Sequence, residues 1–355
     1  MTETESRLLS VVKHWLPRIE VAGIPSATAK AVIEKAGSWE NWLNAWSDEG
    51  DRHAEMGEEA LARGRTITAG EAFARASLFY HFGQFMAFDD LEAKYAAAAR
   101  KVAVFRKAAP LFEHPGELVE VPFEDGFLRA YLRRPHGLDP HPLAIIVPGS
   151  DSTKEEFPAF ERHFLSRGIA TLSFDGPGQG EGRSHGPLRP DIAPALAAAI
   201  ATVKGKPGLS DAVGLVGMAF GGFLALRAAA ALDGLAAVVS INGFYDLGAL
   251  WPTLPNVYQD NMTFALGGID VVEQARRFTL RSADGPAVPA LIVHGGRDTI
   301  FPPSEAEKCV SMCRAGSELH VIAAGNHVCN NIPWMYRPLV ADWLAERFQA
   351  RRSTI

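Results

Sequence analysis

Between residues 143 and 322, six short apolar runs alternate with stretches of helical periodicity: Leu143–Val147, Ala170–Phe174, Ala212–Val216, Ala236–Ile241, Ala290–Val293 and Leu319–Ile322. Runs this short and this continuously apolar suit strands buried on both faces, with the intervening helices covering those faces. The pattern restricts this part of the chain to an α/β architecture, a mostly parallel sheet with helices on both sides. Ahead of the runs, Leu118–Phe123 and Leu128–Leu132 alternate like the strands of a hairpin around Glu124-Asp125-Gly126. Sheets of this class take their ligands beyond the carboxyl ends of the strands. The residues that follow each run are therefore where chemistry is expected.

The pattern changes near Pro115, and the first ~110 residues read as helical throughout. Leu8, Val11, Val12, Trp15 and Leu16 recur at helical spacing. Trp39, Trp42, Leu43 and Trp46 form a second stripe, after a cap candidate at Ser38. A third segment begins near Thr68, where Thr68-Ala69-Gly70-Glu71 resembles a capping box, and runs through Phe73, Phe79, Phe82 and Phe85 to Met86. A fourth, rich in alanine, extends from about Asp89 to Lys107. A chain of 355 residues is long for one domain. Two are expected: a helical domain over 1–115 and an α/β domain over 116–355.

Composition narrows the partners. A net charge of −6 offers no attraction to nucleic acid or an anionic membrane, and no apolar run is long enough to span a bilayer. The polar, acidic start Met1-Thr2-Glu3 is unlike a secretory signal. Cys309, Cys313 and Cys329 are odd in number. Although Cys309 and Cys313, one helical turn apart, are conceivable as a metal pair, structural thiols in a reducing cytoplasm are the plainer reading. The expectation is a cytoplasmic protein acting on a small molecule, with no metal and no cofactor.

The run Ala212–Val216 leads into Gly217-Met218-Ala219-Phe220-Gly221-Gly222, and a helical stretch follows from Phe223. A glycine-flanked turn between strand and helix is the nucleophile elbow, G-x-S-x-G, here complete except for its serine. A methyl group cannot attack a carbonyl. Either Ala219 replaces a serine in a variant that holds substrate uncleaved, or the chain has lost catalysis and kept the frame. The rest of the machinery bears on the choice. Asp298 follows the Ala290–Val293 run, and His327 follows Leu319–Ile322. Nucleophile position, acid and base thus occur in the order of a hydrolase triad, with His327 as base and Asp298 orienting it.

An oxyanion hole needs two backbone N–H groups aimed at one point. Phe220, after the elbow position, is one candidate donor. Ser150, in the loop after Leu143–Val147, is the other, with Gly149 as fallback. Ser152 reads as a turn former. Asp175-Gly176-Pro177-Gly178-Gln179-Gly180-Glu181-Gly182 matches neither a P-loop nor a dinucleotide fingerprint and reads as a structural turn beside the site. Asp175 is the alternative triad acid.

These strand-end pieces, over about residues 116–350, resemble the α/β-hydrolase superfamily. Three further features narrow the likeness: the long helical N-terminal region; Gly149-Ser150-Asp151-Ser152-Thr153-Lys154-Glu155-Glu156; and Asp175-Gly176-Pro177-Gly178-Gln179-Gly180. Together with Thr68–Glu71 and Arg75–His81, they resemble the group holding 2,6-dihydroxypseudooxynicotine hydrolase and the fungal hydrolases that shorten polyketide chains. The resemblance implies an α/β-hydrolase fold with an N-terminal helical cap, a serine-type mechanism, often a homodimer, and cleavage of a carbon–carbon bond next to a ketone. By position, Ala219 stands at the nucleophile, Asp298 at the acid and His327 at the base. Some members add a carboxylate, for which Asp246 is the nearest match, with helix capping as its other reading.

Nothing in the triad separates a carbon–carbon hydrolase from a carboxylesterase, since both transfer an acyl group. The aromatic-rich cap, with Phe79, Tyr80, His81, Phe82, Phe85 and Phe88, suits a flat or polyketide-like substrate, although helical-face packing explains most of those rings. Tyr80 and His81 are the cap residues expected to reach substrate, and the cap is expected to close the strand-end crevice. Retention of Gly217, Gly221, Gly222, Asp298 and His327 favours a serine-type hydrolase seen with its nucleophile replaced over a natural pseudoenzyme. A non-hydrolytic, cofactor-free enzyme using His327 alone as base is a third reading.

Overall fold

The computed structural model describes residue 12 and residues 15–137, 139–281 and 284–352. Leu8 and Val11 lie outside the described residues. The chain divides into two compact units, one holding the chain through Glu117 together with Glu155–Ala159, the other holding Leu118–Lys154 and Phe160 onward.

In the first unit residues 15–22 are helical and are followed by α1 (Ser26–Ala36), α2 (Trp42–Ala62), α3 (Thr66–Gln84) and α4 (Leu91–Ala108). The apolar stripes meet in a core that buries Trp15, Trp42, Trp46, Phe73, Phe79 and Phe82. Helices α2 and α3 approach closely because two glycines of α2 face large rings of α3. A Cβ at Gly50 would lie 2.6 Å from the Tyr80 ring, and one at Gly57 2.5 Å from Phe73. Two expected caps are not used. Ser38 sits in a bend ahead of α2, whose N-cap position is Asn41. Helix α3 begins at Thr66, so Thr68 lies inside its first turn, and Glu71 reaches forward toward Arg75 at 3.9 Å. The backbone bond from Ala69 N–H to Arg65 C=O starts the helix upstream of any box at Thr68. By contrast, Asp90 does cap α4, accepting from Ala93 N–H at 2.9 Å.

The segment Glu155–Ala159, placed in the α/β domain by the sequence reading, packs within the helical unit. Its charges explain why. Glu156 accepts a two-pronged pair from Arg18 at 2.6 and 2.7 Å and lies 3.2 Å from His81 Nε2; Glu155 meets Lys101 at 3.0 Å. Buried charges of this kind persist only when paired.

The second unit is built on one eight-stranded sheet in the order β1-β2-β4-β3-β5-β6-β7-β8. The strands are β1 (Gly116–Phe123), β2 (Gly126–Arg133), β3 (His141–Val147), β4 (Ala170–Asp175), β5 (Leu209–Met218), β6 (Leu235–Ile241), β7 (Ala290–Gly295) and β8 (Glu318–Ile322). All six apolar runs are strands. Strand β2 pairs antiparallel with β4, and every pairing from β4 through β3, β5, β6 and β7 to β8 is parallel. The apolar runs of β3, β4, β6 and β7 are buried almost without break, as two covered faces require.

The helices of this unit are α5 (Pro158–Leu165), α6 (Ala193–Val203), α7 (Phe220–Ala231), α8 (Leu247–Leu250), α9 (Asn256–Ala265), α10 (Val271–Arg276), α11 (Pro303–Ser311) and α12 (Pro333–Arg352). Helix α7 is apolar on nearly every side and buries Phe220, Phe223, Leu224 and Leu226. Parallel pairing brings the carboxyl ends of β3, β5, β6, β7 and β8 to one edge of the sheet, where the predicted chemistry lies.

Candidate active site

Strand β5 ends at Met218 and α7 starts at Phe220, so Ala219 alone makes the turn. Its φ of 51° and ψ of −118° are strained for a residue with a side chain, a cost on the order of 1–3 kcal/mol. Two backbone bonds hold it there: Ala219 N–H donates to Ile241 C=O, and Gly222 N–H donates to Ala219 C=O, both at 2.8 Å. The glycines are sterically required. A Cβ at Gly217 would lie 2.0 Å from the Gly221 carbonyl oxygen, and one at Gly221 2.1 Å from that of Val147. The fold therefore carries strain to set residue 219 at the strand end, although that residue is alanine.

Two strands along, Asp298 and His327 form the expected pair. His327 Nδ1–H donates to Asp298 Oδ2 at 2.8 Å, which leaves Nε2 as the basic nitrogen. The carboxylate is buried and fully solvated by protein. Oδ1 accepts from Ile300 N–H at 2.8 Å and Phe301 N–H at 3.1 Å, and Oδ2 also accepts from Asn242 Nδ2 at 2.7 Å. Burial alone would raise the Asp298 carboxyl. The interaction with His327 and these hydrogen bonds outweigh it and hold the group below its ordinary value, so it stays ionised. The alternative acid, Asp175, is otherwise engaged: it accepts from Lys154 N–H at 2.8 Å and pairs with Lys154 Nζ at 2.9 Å.

Rings frame His327. Phe301 and Tyr258 approach His327 edge-on, at 5.4 and 6.0 Å between centroids. Phe301 continues through Phe244 at 4.9 Å to Phe223 and Phe220 on α7. His294, one strand position from Gly295, is buried, which pushes it toward its neutral form, and its Nε2 bonds Phe301 C=O at 2.8 Å.

Of the proposed oxyanion donors, Phe220 N–H opens α7, where first-turn amides lack intrahelical acceptors. The Gly149–Ser150 backbone runs beside the elbow: a Cβ at Gly149 would lie 3.7 Å from the Ala219 methyl. Ser150 Oγ accepts from Asn261 Nδ2 of α9 at 3.1 Å.

The remaining candidates have partners of their own. Tyr80 and His81 are buried in the helical unit. Tyr80 OH donates to Asp51 at 2.6 Å and accepts from Arg100 at 3.0 Å, and burial pushes its pKa up to about 12. His81 faces Glu156. Packing, the alternative weighed for both, accounts for their surroundings. Asp246 caps α8, accepting from Ala249 N–H at 2.9 Å, and its other oxygen pairs with Arg281 at 2.5 Å; capping is the role its geometry displays. Sequence reasoning missed Asn242, Gln179 and Asn261. The first two follow β6 and β4 and carried the same strand-end signal as the triad. Cys329, buried near the base, directs its thiol to Asn242 Oδ1 at 3.8 Å, which orients the amide toward Asp298.

Known proteins resemble this chain in sequence and fold. The family model of FrsA-like esterases matches residues 31–348. The chain is 33% identical over 311 residues to 2,6-dihydropseudooxynicotine hydrolase of Paenarthrobacter nicotinovorans, covering 85% of this chain and 83% of that protein. The crystal structure of 2,6-dihydroxy-pseudo-oxynicotine hydrolase superposes with a TM-score of 0.84 at 31% identity, over 93% of this chain and 95% of the other. The α/β hydrolase gkaG of Penicillium citrinum is 31% identical over 246 residues, and the chain spans 57% of its length.

Proposed function

The chain belongs to the FrsA-like esterase family and has the α/β-hydrolase fold, and from that premise we propose that its site is built to cleave a carbon–carbon bond next to a ketone by acyl transfer to residue 219. The observation that carries the reading is the ionised Asp298 bonded to His327 at one sheet edge with a strained, glycine-walled elbow. A frame of this cost has a use only if residue 219 meets substrate. With serine there, His327 Nε2 takes the hydroxyl proton as Oγ adds to the carbonyl. Phe220 N–H and the Ser150 or Gly149 N–H receive the oxyanion. Collapse expels the neighbouring carbon as an enolate, and the imidazolium returns the proton to that carbon. Water then releases the acyl group as a carboxylic acid.

With Ala219 the nucleophile is absent, and the chain as written binds substrate without forming the acyl intermediate. The carbon–carbon assignment draws on the resemblance read from the sequence, together with a relative, covering most of the chain, that is named 2,6-dihydropseudooxynicotine hydrolase. Carboxylester hydrolysis is the second reading, favoured by the family's description as esterases. Product analysis of the Ala219→Ser form separates them. Release of a carboxylic acid and a ketone from an aryl β-diketone supports the first. Turnover of aryl esters with every β-diketone intact replaces it with the second.

A further inference from the structure

The loop that would supply the second oxyanion donor is the turn that follows β3. What holds it is the glycine turn after β4. Gln179 is 1% exposed. Its side-chain amide has a fixed orientation, because Oε1 accepts from Gly176 N–H at 3.1 Å and so Nε2 must face the other way. Nε2 donates to the carbonyl oxygens of Pro148 at 2.5 Å and Gly149 at 3.2 Å. In a trans peptide the N–H points opposite to the C=O. Fixing the Pro148 and Gly149 carbonyls on the Gln179 side therefore turns the Gly149 and Ser150 N–H groups away from it. The backbone that carries them passes the Ala219 methyl.

The other end of the loop is held by the same turn: Asp175 takes Lys154 N–H and Nζ, and Glu181 takes Nζ at 2.7 Å. The turn's composition follows from this packing. A Cβ at Gly180 would lie 2.1 Å from the Asp175 carboxylate, and one at Gly182 2.2 Å from the Gly176 carbonyl. The glycines serve compactness around Asp175 and Gln179.

We infer that Gln179 is a positioning residue for the oxyanion hole, aligning the Gly149 and Ser150 amides through their carbonyls. It touches no substrate and carries no proton. The inference rests on the acyl-transfer reading above, so the test uses the Ala219→Ser form as parent, with an activated ester and a boronic acid that adds to the serine as a tetrahedral anion. Gln179→Met removes the donors at similar volume. Gln179→Glu keeps the acceptor for Gly176 and loses the amide donors.

Both variants should lose about 10²-fold in kcat, the scale of one oxyanion donor, while KM stays within about threefold. Boronate affinity should fall in parallel with kcat. A merely structural role would lower the melting temperature without separating kcat from KM, and would leave boronate affinity in the folded protein unchanged. An active parent with both variants at parental kcat, or with boronate affinity unmoved, overturns the inference alone. A parent that hydrolyses nothing and binds no boronate overturns the acyl-transfer reading and the inference with it.

Discussion

Asn242→Asp tests the acid of the site on the chain as it stands, without turnover. Asn242 donates to Asp298 Oδ2 at 2.7 Å, and both side chains are buried. The position has a φ of 49°, which aspartate tolerates nearly as well as asparagine. The substitution therefore changes one thing: it sets a carboxylate oxygen where a donor stood. Two carboxylates this close cannot both ionise, so the folded state retains one proton between them. In the unfolded chain at pH 7 an aspartyl group of pKa ~3.9 has lost that proton. Holding it costs about 1.4 kcal/mol for each of roughly three pH units, about 4 kcal/mol in total.

The sign follows from linkage. The folded pair titrates above its unfolded value, so the variant's deficit is absent near pH 4 and grows by about 1.4 kcal/mol per unit as pH rises. The parent behaves in the opposite sense. Asp298 is held low in the folded state, so its contribution is complete above the unfolded carboxyl range and is lost as pH falls through the folded value. Urea unfolding of the two proteins at pH 5, 6, 7 and 8 measures the difference. A gap of equal size at pH 5 and pH 8 would rule out the shared proton, because a packing defect carries no proton linkage.

Further outcomes follow from the same contacts. In the Ala219→Ser background, Asp298→Asn should leave the fold intact and slow acylation by about 10⁴-fold, the tautomer effect known for such triads. Asp175→Asn should instead remove one of the carboxylates that pair with the buried Lys154, Glu181 remaining, and cost on the order of 1–3 kcal/mol in urea unfolding; a larger catalytic loss from Asp175→Asn than from Asp298→Asn would reverse the assignment. In the helical unit, burial works to raise Glu156, but Arg18 and His81 hold it well below the usual carboxylate range. Its contribution is present above the unfolded carboxyl pKa and lost as pH falls toward the folded one, so Glu156→Gln should remove about 3 kcal/mol at pH 7 and flatten the acid limb of the stability curve. Identical acid limbs in the two proteins would contradict that pairing.

The sheet was legible because parallel strands buried on both faces leave a mark that few other structures leave: Leu143–Val147 and Ala290–Val293 have no polar side to obscure them. The Asp298–His327 pair was legible for a related reason, since each residue follows such a run. Helix starts were harder to read. Ser38 and Thr68 have cap chemistry, but the starts of α2 and α3 follow from where Trp42 and Phe73 must pack, and tertiary burial outweighs a cap of about 1 kcal/mol. The supporting contacts were invisible for a different reason. Gln179 meets Pro148 and Asn242 meets Asp298 across strands that are neighbours in the sheet and distant in the chain. Nothing local announces such a meeting. Likewise Glu155 and Glu156 sit beside Lys154 in sequence, yet their partners Lys101, Arg18 and His81 belong to the helical unit.

In the proposed function the site is an acyl-transfer frame that lacks only its nucleophile. Single-turnover kinetics of the chain as written and of its Ala219→Ser form, on the same activated ester and the same aryl β-diketone, test it most directly. Both proteins should bind substrate, and the Ala219→Ser form should cleave it at least ~10³-fold faster, with an acyl group trapped on residue 219. Equal rates for the two proteins, with no acyl adduct, would contradict it.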